Sequence, residues 1–256
     1  MHLACEKKVT IRDTVIGGPD LLICVPLVTT DEKGLLQQAR TALQHKPNLF
    51  EWRADAFTQM DQETCRDILA ALRDVIGDSP LIFTCRRHAE GGFNKISADE
   101  REGLINAAIQ SGNVDIVDME LSNDEIFIQN LRKAAINAGL SMMLSCHNFK
   151  STPEPENIIA TLLQARNRGA DIAKVAVMPR EFEDVLTLMN AALKARKNGL
   201  KIPMIAISMG ILGRLTRFAG GFFGSNITFA SSASGSAPGQ VSIQALQQTL
   251  TALNQR

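Results

Sequence analysis

The chain has 256 residues, 27 basic against 27 acidic side chains, and 45% apolar residues. This balance excludes a global field that steers toward nucleic acid or anionic lipid, and no apolar run reaches the roughly 18 residues of a membrane helix. The opening "MHLACEKKVTIRD" lacks the apolar stretch of a signal peptide, so the chain reads as a soluble cytosolic protein.

Residues 8–18, "KVTIRDTVIGG", predict a short hairpin turning at Arg12-Asp13 and closing the N-terminal mouth of a barrel. Strand-like runs then recur: "LLICVPLV" (21–28), "LFEWRAD" (49–55), "LIFTCR" (81–86) and "DIVDMEL" (115–121). They continue with "SMMLSCHNF" (141–149), "DIAKVAVM" (171–178), "IPMIAISM" (202–209) and "ITFASS" (227–232). Amphipathic stretches separate them, such as "DEKGLLQQARTALQ", "DQETCRDILAALRDVIG" and "PENIIATLLQARNRG". Asp61 is placed to cap the second of these, and the last two end in glycine, a common helix stop. Eight strand–helix units in about 250 residues predict one α/β domain over residues 1–256, a (β/α)8 TIM barrel. An open doubly wound sheet is the second reading, but the G-x-G-x-x-G that usually follows its first strand is absent.

Barrel strands are buried on both faces and their side chains alternate, so polar residues within them are informative. In 49–55, Glu51, Arg53 and Asp55 share one face and Phe50, Trp52 and Ala54 the other, which puts the charged set inside the barrel. Arg53, Arg86, Glu120 and His147 fall near strand C-terminal ends, where barrel active sites gather. Lys174 lies deeper, on the strand next to that of His147. Asp55 and Glu120 read equally well as structural ion-pair partners. His45 reads as a charge partner for a helix C-terminus and His88 as a solvated loop residue. Five cysteines (5, 24, 65, 85, 146) and four histidines (2, 45, 88, 147) show no metal-ligand spacing. Lys174 resists a bland explanation, because its flanks are Ala, Val and Ile and only Asp171 is a nearby carboxylate in sequence. Burial disfavours an ammonium, and a neutral amine attacks carbonyl carbon, so Schiff-base chemistry is the reading.

Six stretches, "FEWRAD" (50–55), "FTCRRHAEGG" (83–92), "SCHNF" (145–149), "AKVAVMP" (173–179), "MGILGRLTR" (209–217) and "SAPGQ" (236–240), stand in the order found in one family. Together they closely resemble type I 3-dehydroquinate dehydratase. The resemblance implies syn elimination of water from 3-dehydroquinate to give 3-dehydroshikimate, without metal or organic cofactor, in a cytoplasmic homodimer. It implies that Lys174 forms the imine, that His147 is the general acid and base, and that Glu90 orients and charges it. Arg217 would pair with the substrate carboxylate, with Ser236 and Gln240 as partners, while Glu51, Arg53 and Arg86 would bind ring hydroxyls. Small departures from the commonest family pattern are Cys85, Asn148, Thr216 and Ile207, none a reacting group. The Ser-rich "SSASGSAPGQ" is consistent with a mobile lid, and its "GSAPG" alone reads equally as a phosphate cradle. A class I aldolase using Lys174 and a catalytically silent binding barrel are the competing functions.

Overall fold

The computed structural model describes residues 3, 5–232 and 239–254. The hairpin is present as β1 (Val9–Ile11) and β2 (Thr14–Ile16), antiparallel with Val9 opposite Ile16. Eight parallel strands come next: β3 (Leu22–Leu27), β4 (Leu49–Arg53), β5 (Leu81–Thr84), β6 (Ile116–Glu120), β7 (Ser141–Asn148), β8 (Ile172–Val177), β9 (Met204–Ser208) and β10 (Ile227–Ser231). They pair in chain order from β3 to β9, with β10 paired back onto β3. The sheet therefore curls into a barrel. Its last seam is made at the strand starts: the amide of Asn226 donates to the Met204 carbonyl (2.7 Å), and the Met204 amide donates to Asn226 Oδ1 (3.0 Å). A two-residue strand, β11 (Val241–Ser242), lies beside the far end of β10, an element that the sequence pattern did not predict.

Helices α1 (Glu32–Leu43), α2 (Gln62–Ile76), α3 (Ala98–Gln110), α4 (Glu125–Asn137), α5 (Pro155–Asn167) and α6 (Phe182–Lys197) cover the outside. Side chains satisfy backbone donors at several of their starts: Asp61 caps α2 through the Thr64 amide, and Ser97 with Glu100 forms a capping box on α3. A short helix α7 (Leu215–Ala219) lies after β9, and α8 (Ile243–Asn254) ends the described chain.

Alternation along the strands produces two cores. Phe50, Trp52, Phe83, Val117, Leu144 and Val175 point outward under the helices. Trp52 meets Phe83 edge-on at 5.4 Å between ring centroids, which fixes the outward face of β4 and commits Glu51 and Arg53 to the interior. Inside, each strand contributes an apolar residue near its start: Leu22, Leu49, Ile82, Ile116, Met143, Ile172, Ile205 and Ile227 cluster with Ile11 and Ile16 of the hairpin. The hairpin thus plugs the N-terminal end. Burying side chains of this size stabilises by about 1.5–3 kcal/mol each, and they form an apolar floor. The polar residues of the interior are stacked above it, toward the C-terminal ends.

Each strand is shorter than its run in the sequence, and at two of them this moves a site residue. β4 stops at Arg53, and residues Ala54–Ala56 form a 3-10 turn, so Asp55 does not continue the alternation of Glu51 and Arg53. Likewise β5 stops at Thr84, which places Arg86 in the loop beyond it.

Candidate active site

One polar layer lies above the apolar floor, composed of Glu51, Thr84, Asp118, Ser145 and Lys174. The β7–β8 register sets Ser145 opposite Lys174 and His147 opposite Ala176, so the histidine stands one layer higher than the lysine. Lys174 is 6% exposed. Its Nζ lies 3.4 Å from Glu51 Oε1 and 3.5 Å from Asp118 Oδ2, with the Phe229 ring 4.5 Å away. This corrects the expectation of an amine with only apolar surroundings. The carboxylates come from strands far away in the chain and reach the lysine across the barrel. Both contacts are long, so the amine is paired but not gripped.

Asp118, which the sequence reading did not single out, is the hub of this layer. Its Oδ2 accepts from Arg86 Nη2 at 2.5 Å, and its side chain is fully buried. Burial pushes its carboxyl upward, but Arg86, Lys174 and hydrogen bonding outweigh that and hold it below the usual carboxylate range. Arg86 is also bound to Glu120 Oε1 (3.0 Å) and Ser145 Oγ (2.6 Å). Glu120 in turn takes Arg101 Nη2 at 2.5 Å, a residue of α3 that is 2% exposed. Burial lowers the Arg86 guanidinium, yet Asp118, Glu120 and Glu51 raise it well above its ordinary value. It is a fixed charge.

Arg53 is braced in the same way. Its Nε and Nη2 make a two-point contact with Asp55 at 2.8 Å each, and Nη2 also donates to the Gly91 carbonyl at 3.2 Å. Asp55 further accepts from the Arg86 amide (3.1 Å) and the Phe93 amide (3.0 Å). Burial pushes its carboxyl upward, but the Arg53 contact and these amides hold it lower than usual. Asp55 therefore ties the loop after β5 to the end of β4. The loop's two glycines are dictated by close approach. Gly91 has φ +85°, and a Cβ there would collide with the Phe149 ring; a Cβ on Gly92 would collide with the Arg86 carbonyl.

That loop delivers Glu90 to His147. Glu90 Oε2 accepts the His147 amide at 2.9 Å and lies 3.4 Å from the ring Nδ1, within ion-pair range but outside hydrogen-bond geometry. Burial raises the Glu90 carboxyl, against hydrogen bonds from Ser122 and the His147 amide. Burial of the imidazole, followed by the charges of Arg86, Lys174 and Arg53, pulls His147 well below its ordinary value. These influences favour the neutral imidazole, the form that can accept a proton.

Arg217, on α7, is 1% exposed and donates to the Gly239 carbonyl (3.0 Å) and the Phe229 carbonyl (3.2 Å). Burial, with Arg214 nearby, pushes it down to about 10, still cationic at neutral pH. Gln240 lines the same space. Ser236 lies outside the described residues.

Glu51, Arg53, Arg86, Glu90, His147, Lys174, Arg217 and Gln240 all border one cavity of about 190 Å³ at the C-terminal end of the barrel. The space exceeds several times the ~30 Å³ that a water occupies in the liquid. Its apolar walls are Phe93, Phe149, Ile207, Met209 and Phe229, of which the sequence had marked only Ile207, as a departure from the family pattern. Among the described residues no group of three or more His, Cys, Asp or Glu is placed to hold a metal ion. His45 and His88 do not line this cavity: Gln247 donates to the His45 carbonyl at 2.6 Å, and His88 is exposed.

A barrel whose lysine, histidine and arginines border one cavity at the strand C-terminal ends has the site of a barrel enzyme for a small polar molecule. A family model of type I 3-dehydroquinase matches residues 23–256. A 3-dehydroquinate dehydratase of Geobacillus thermodenitrificans is 40% identical over 252 residues, 97% of this chain and 96% of that one. Another, of Albidiferax ferrireducens, is 43% identical over 92% of this chain and 90% of its own. The crystal structure of 3-dehydroquinate dehydratase from Geobacillus kaustophilus superposes with a TM-score of 0.95 at 40% identity, covering 99% of this chain and 98% of that one. The type I enzyme from Clostridium difficile, solved with covalently modified comenic acid, gives 0.94 at 34% identity, covering 97% and 98%. The chain belongs to the type I 3-dehydroquinase family. By contrast, 3-hexulose-6-phosphate synthase, at 17% identity and a TM-score of 0.61, shares the fold alone.

Proposed function

We propose that this chain dehydrates 3-dehydroquinate to 3-dehydroshikimate through an imine on Lys174. The observation that carries the reading is a buried amine bordering a cavity that is also lined by a histidine and a buried arginine. The Lys174 nitrogen attacks the ketone carbon and one water leaves, forming C=N. Once protonated, the imine withdraws electrons from the adjacent carbon, so His147 can take a proton there and leave an enamine. The resulting imidazolium, steadied by Glu90, protonates the departing tertiary hydroxyl as the second water. A final water hydrolyses the imine, returning the amine and releasing the enone, so one water is lost overall.

Arg217 pairs with the substrate carboxylate, a role suited to a planar cation at the cavity wall, and Gln240 and Ser236 assist it. Glu51, Arg53 and Arg86 meet the ring hydroxyls. For the two arginines this role fits their rigid mounting, since a donor that needs no reorganisation is worth most in a dry site. Asp118 and Ser145 act beside them as supports of Arg86 and Lys174. Incubation with 3-dehydroquinate, followed by the ultraviolet absorbance of the conjugated product, tests the reading. Turnover is expected with this substrate and none with sugar phosphates; the reverse pattern would favour an aldolase-type barrel, and silence with both a binding protein.

We also propose one domain spanning residues 1–256, a homodimer and a cytoplasmic location. Leu186 and Leu215 support an interface, because they line one apolar groove while 63% and 54% exposed. All five cysteines are free thiols, which suits a reducing compartment.

A further inference from the structure

We infer that Ser122 is a positioning residue for the acid–base pair: backed by Arg87, its hydroxyl holds one oxygen of the Glu90 carboxylate and leaves the other to His147. The inference rests on the reading of His147 as the acid–base group.

Three separate segments meet at this point: the loop after β5, which contains Arg87 and the 3-10 turn His88–Glu90, the turn that succeeds β6, and β7, which carries His147. Ser122 Oγ donates to Glu90 Oε1 at 2.5 Å, within the range of O–H···O⁻ bonds to an ionised acceptor. Arg87 Nη1 donates to the same Oγ at 2.8 Å and to the Ser122 carbonyl at 3.0 Å. A guanidinium can only donate, so the direction of the chain is set: the serine accepts from Arg87 and gives its single proton to Glu90. A cationic donor behind a hydroxyl polarises it and strengthens the bond ahead. With Oε1 occupied in this way, and Oε2 taking the His147 amide at 2.9 Å, the carboxylate is fixed at both ends. Its rotation away from the imidazole is blocked.

The surrounding charges say what the hydroxyl does. Glu90 is faced by Glu120 from β6, which disfavours its charge, and by Arg86, which favours it. His147 is faced by Arg86, by Lys174 from β8 and by Arg53 from β4, all opposing an imidazolium. His88, in the same turn as Glu90, is committed to the Gly92 carbonyl at 3.0 Å. Without Ser122, burial and Glu120 act on Glu90 with less resistance. A protonated Glu90 cannot support the imidazolium that delivers a proton to the leaving hydroxyl. The acid limb of activity must then move to higher pH.

The test compares pH profiles of kcat for the wild type, Ser122→Ala, Ser122→Thr and Arg87→Ala. The loss of one hydrogen bond to an ionised carboxylate corresponds to an upward shift of the acid limb by about 1–2 pH units in Ser122→Ala. KM is expected to stay unchanged, Thr to restore the profile, and Arg87→Ala to shift it less in the same direction. A Ser122→Ala profile superimposable on the wild type overturns the inference. A second readout separates it from the reading beneath it: the ¹⁵N titration of the His147 imidazole in the substrate-free enzyme. If His147→Ala keeps near-normal kcat, the acid–base reading fails. The Ser122 contact is still decided by the titration, expected to fall to lower pH in Ser122→Ala and, if identical to the wild type, refuting it.

Discussion

Asp118→Asn removes one negative charge from the centre of the barrel and keeps the shape of the side chain. Asp118 and Arg86 are 0% and 3% exposed and 2.5 Å apart, so the change leaves a buried guanidinium without one of its two carboxylates. Breaking a buried pair on one side costs about 3–5 kcal/mol. Arg86 keeps Glu120 at 3.0 Å and Ser145 at 2.6 Å, which places the loss near the lower end, about 3 kcal/mol. For a chain of this size that is a fall in Tm of about 6–12 °C, measured by calorimetry at pH 7. The pH dependence has a definite sign. The Asp118 carboxyl is held below its ordinary value of 3.8 in the folded chain, so its contribution is complete above that value and is lost as pH falls through the lower folded one. The gap between wild type and variant is therefore constant from pH 7 to pH 5 and narrows only below about pH 4. A gap under about 2 °C at pH 7, well short of the shift expected for a lost buried pair, or one that widens in acid, would refute the assignment of Asp118 as the ionised hub.

Three other substitutions probe the remaining parts. His147→Ala is expected to lose about 10²–10⁴-fold in kcat while still forming the imine, and near-normal turnover would contradict its role. Arg217→Ala removes a charged donor to the substrate carboxylate and should raise KM by about 10–100-fold, with an unchanged KM counting against the pairing. Gly92→Ala forces a Cβ against the Arg86 carbonyl oxygen and to within 2.8 Å of the Arg87 carbonyl carbon, so the loop holding Glu90 must shift. Its expected signature is a loss of about 1–3 kcal/mol in urea unfolding together with a kcat lowered about tenfold or more. A variant with wild-type stability and rate would show that the loop's position is not tightly held.

The sequence showed some of this and hid the rest for identifiable reasons. Strand alternation assigned Glu51 and Arg53 to the interior because bulky Phe50 and Trp52 left no other face for them. Asp61 as the cap of α2 and the turn at Arg12-Asp13 were equally local, and both are present. Asp55 is the ion-pair partner that one of its two readings expects, bound to Arg53, but alternation carries it past the true end of β4; it sits in the turn beyond and braces the loop after β5. Asp118 and Ser145 escaped notice because "DIVDMEL" and "SMMLSC" offer no local partner that would mark them. Their partners, Arg86 and Lys174, become neighbours only when the sheet closes. The same closure explains the lysine, since Glu51 is 123 residues away in sequence and Asp118 is 56. Ser122 looked like an ordinary turn residue, and nothing short of the position of Glu90 distinguishes it.

The covalent bond between the Lys174 nitrogen and the ketone carbon of the substrate is the step on which the chemistry turns. Intact-protein mass spectrometry after incubation with 3-dehydroquinate and borohydride, followed by peptide mapping, addresses it directly. A reduced ligand adduct is expected on the peptide carrying Lys174, and none in Lys174→Ala. An unaltered mass with active enzyme, or an adduct on another lysine, would contradict the imine mechanism.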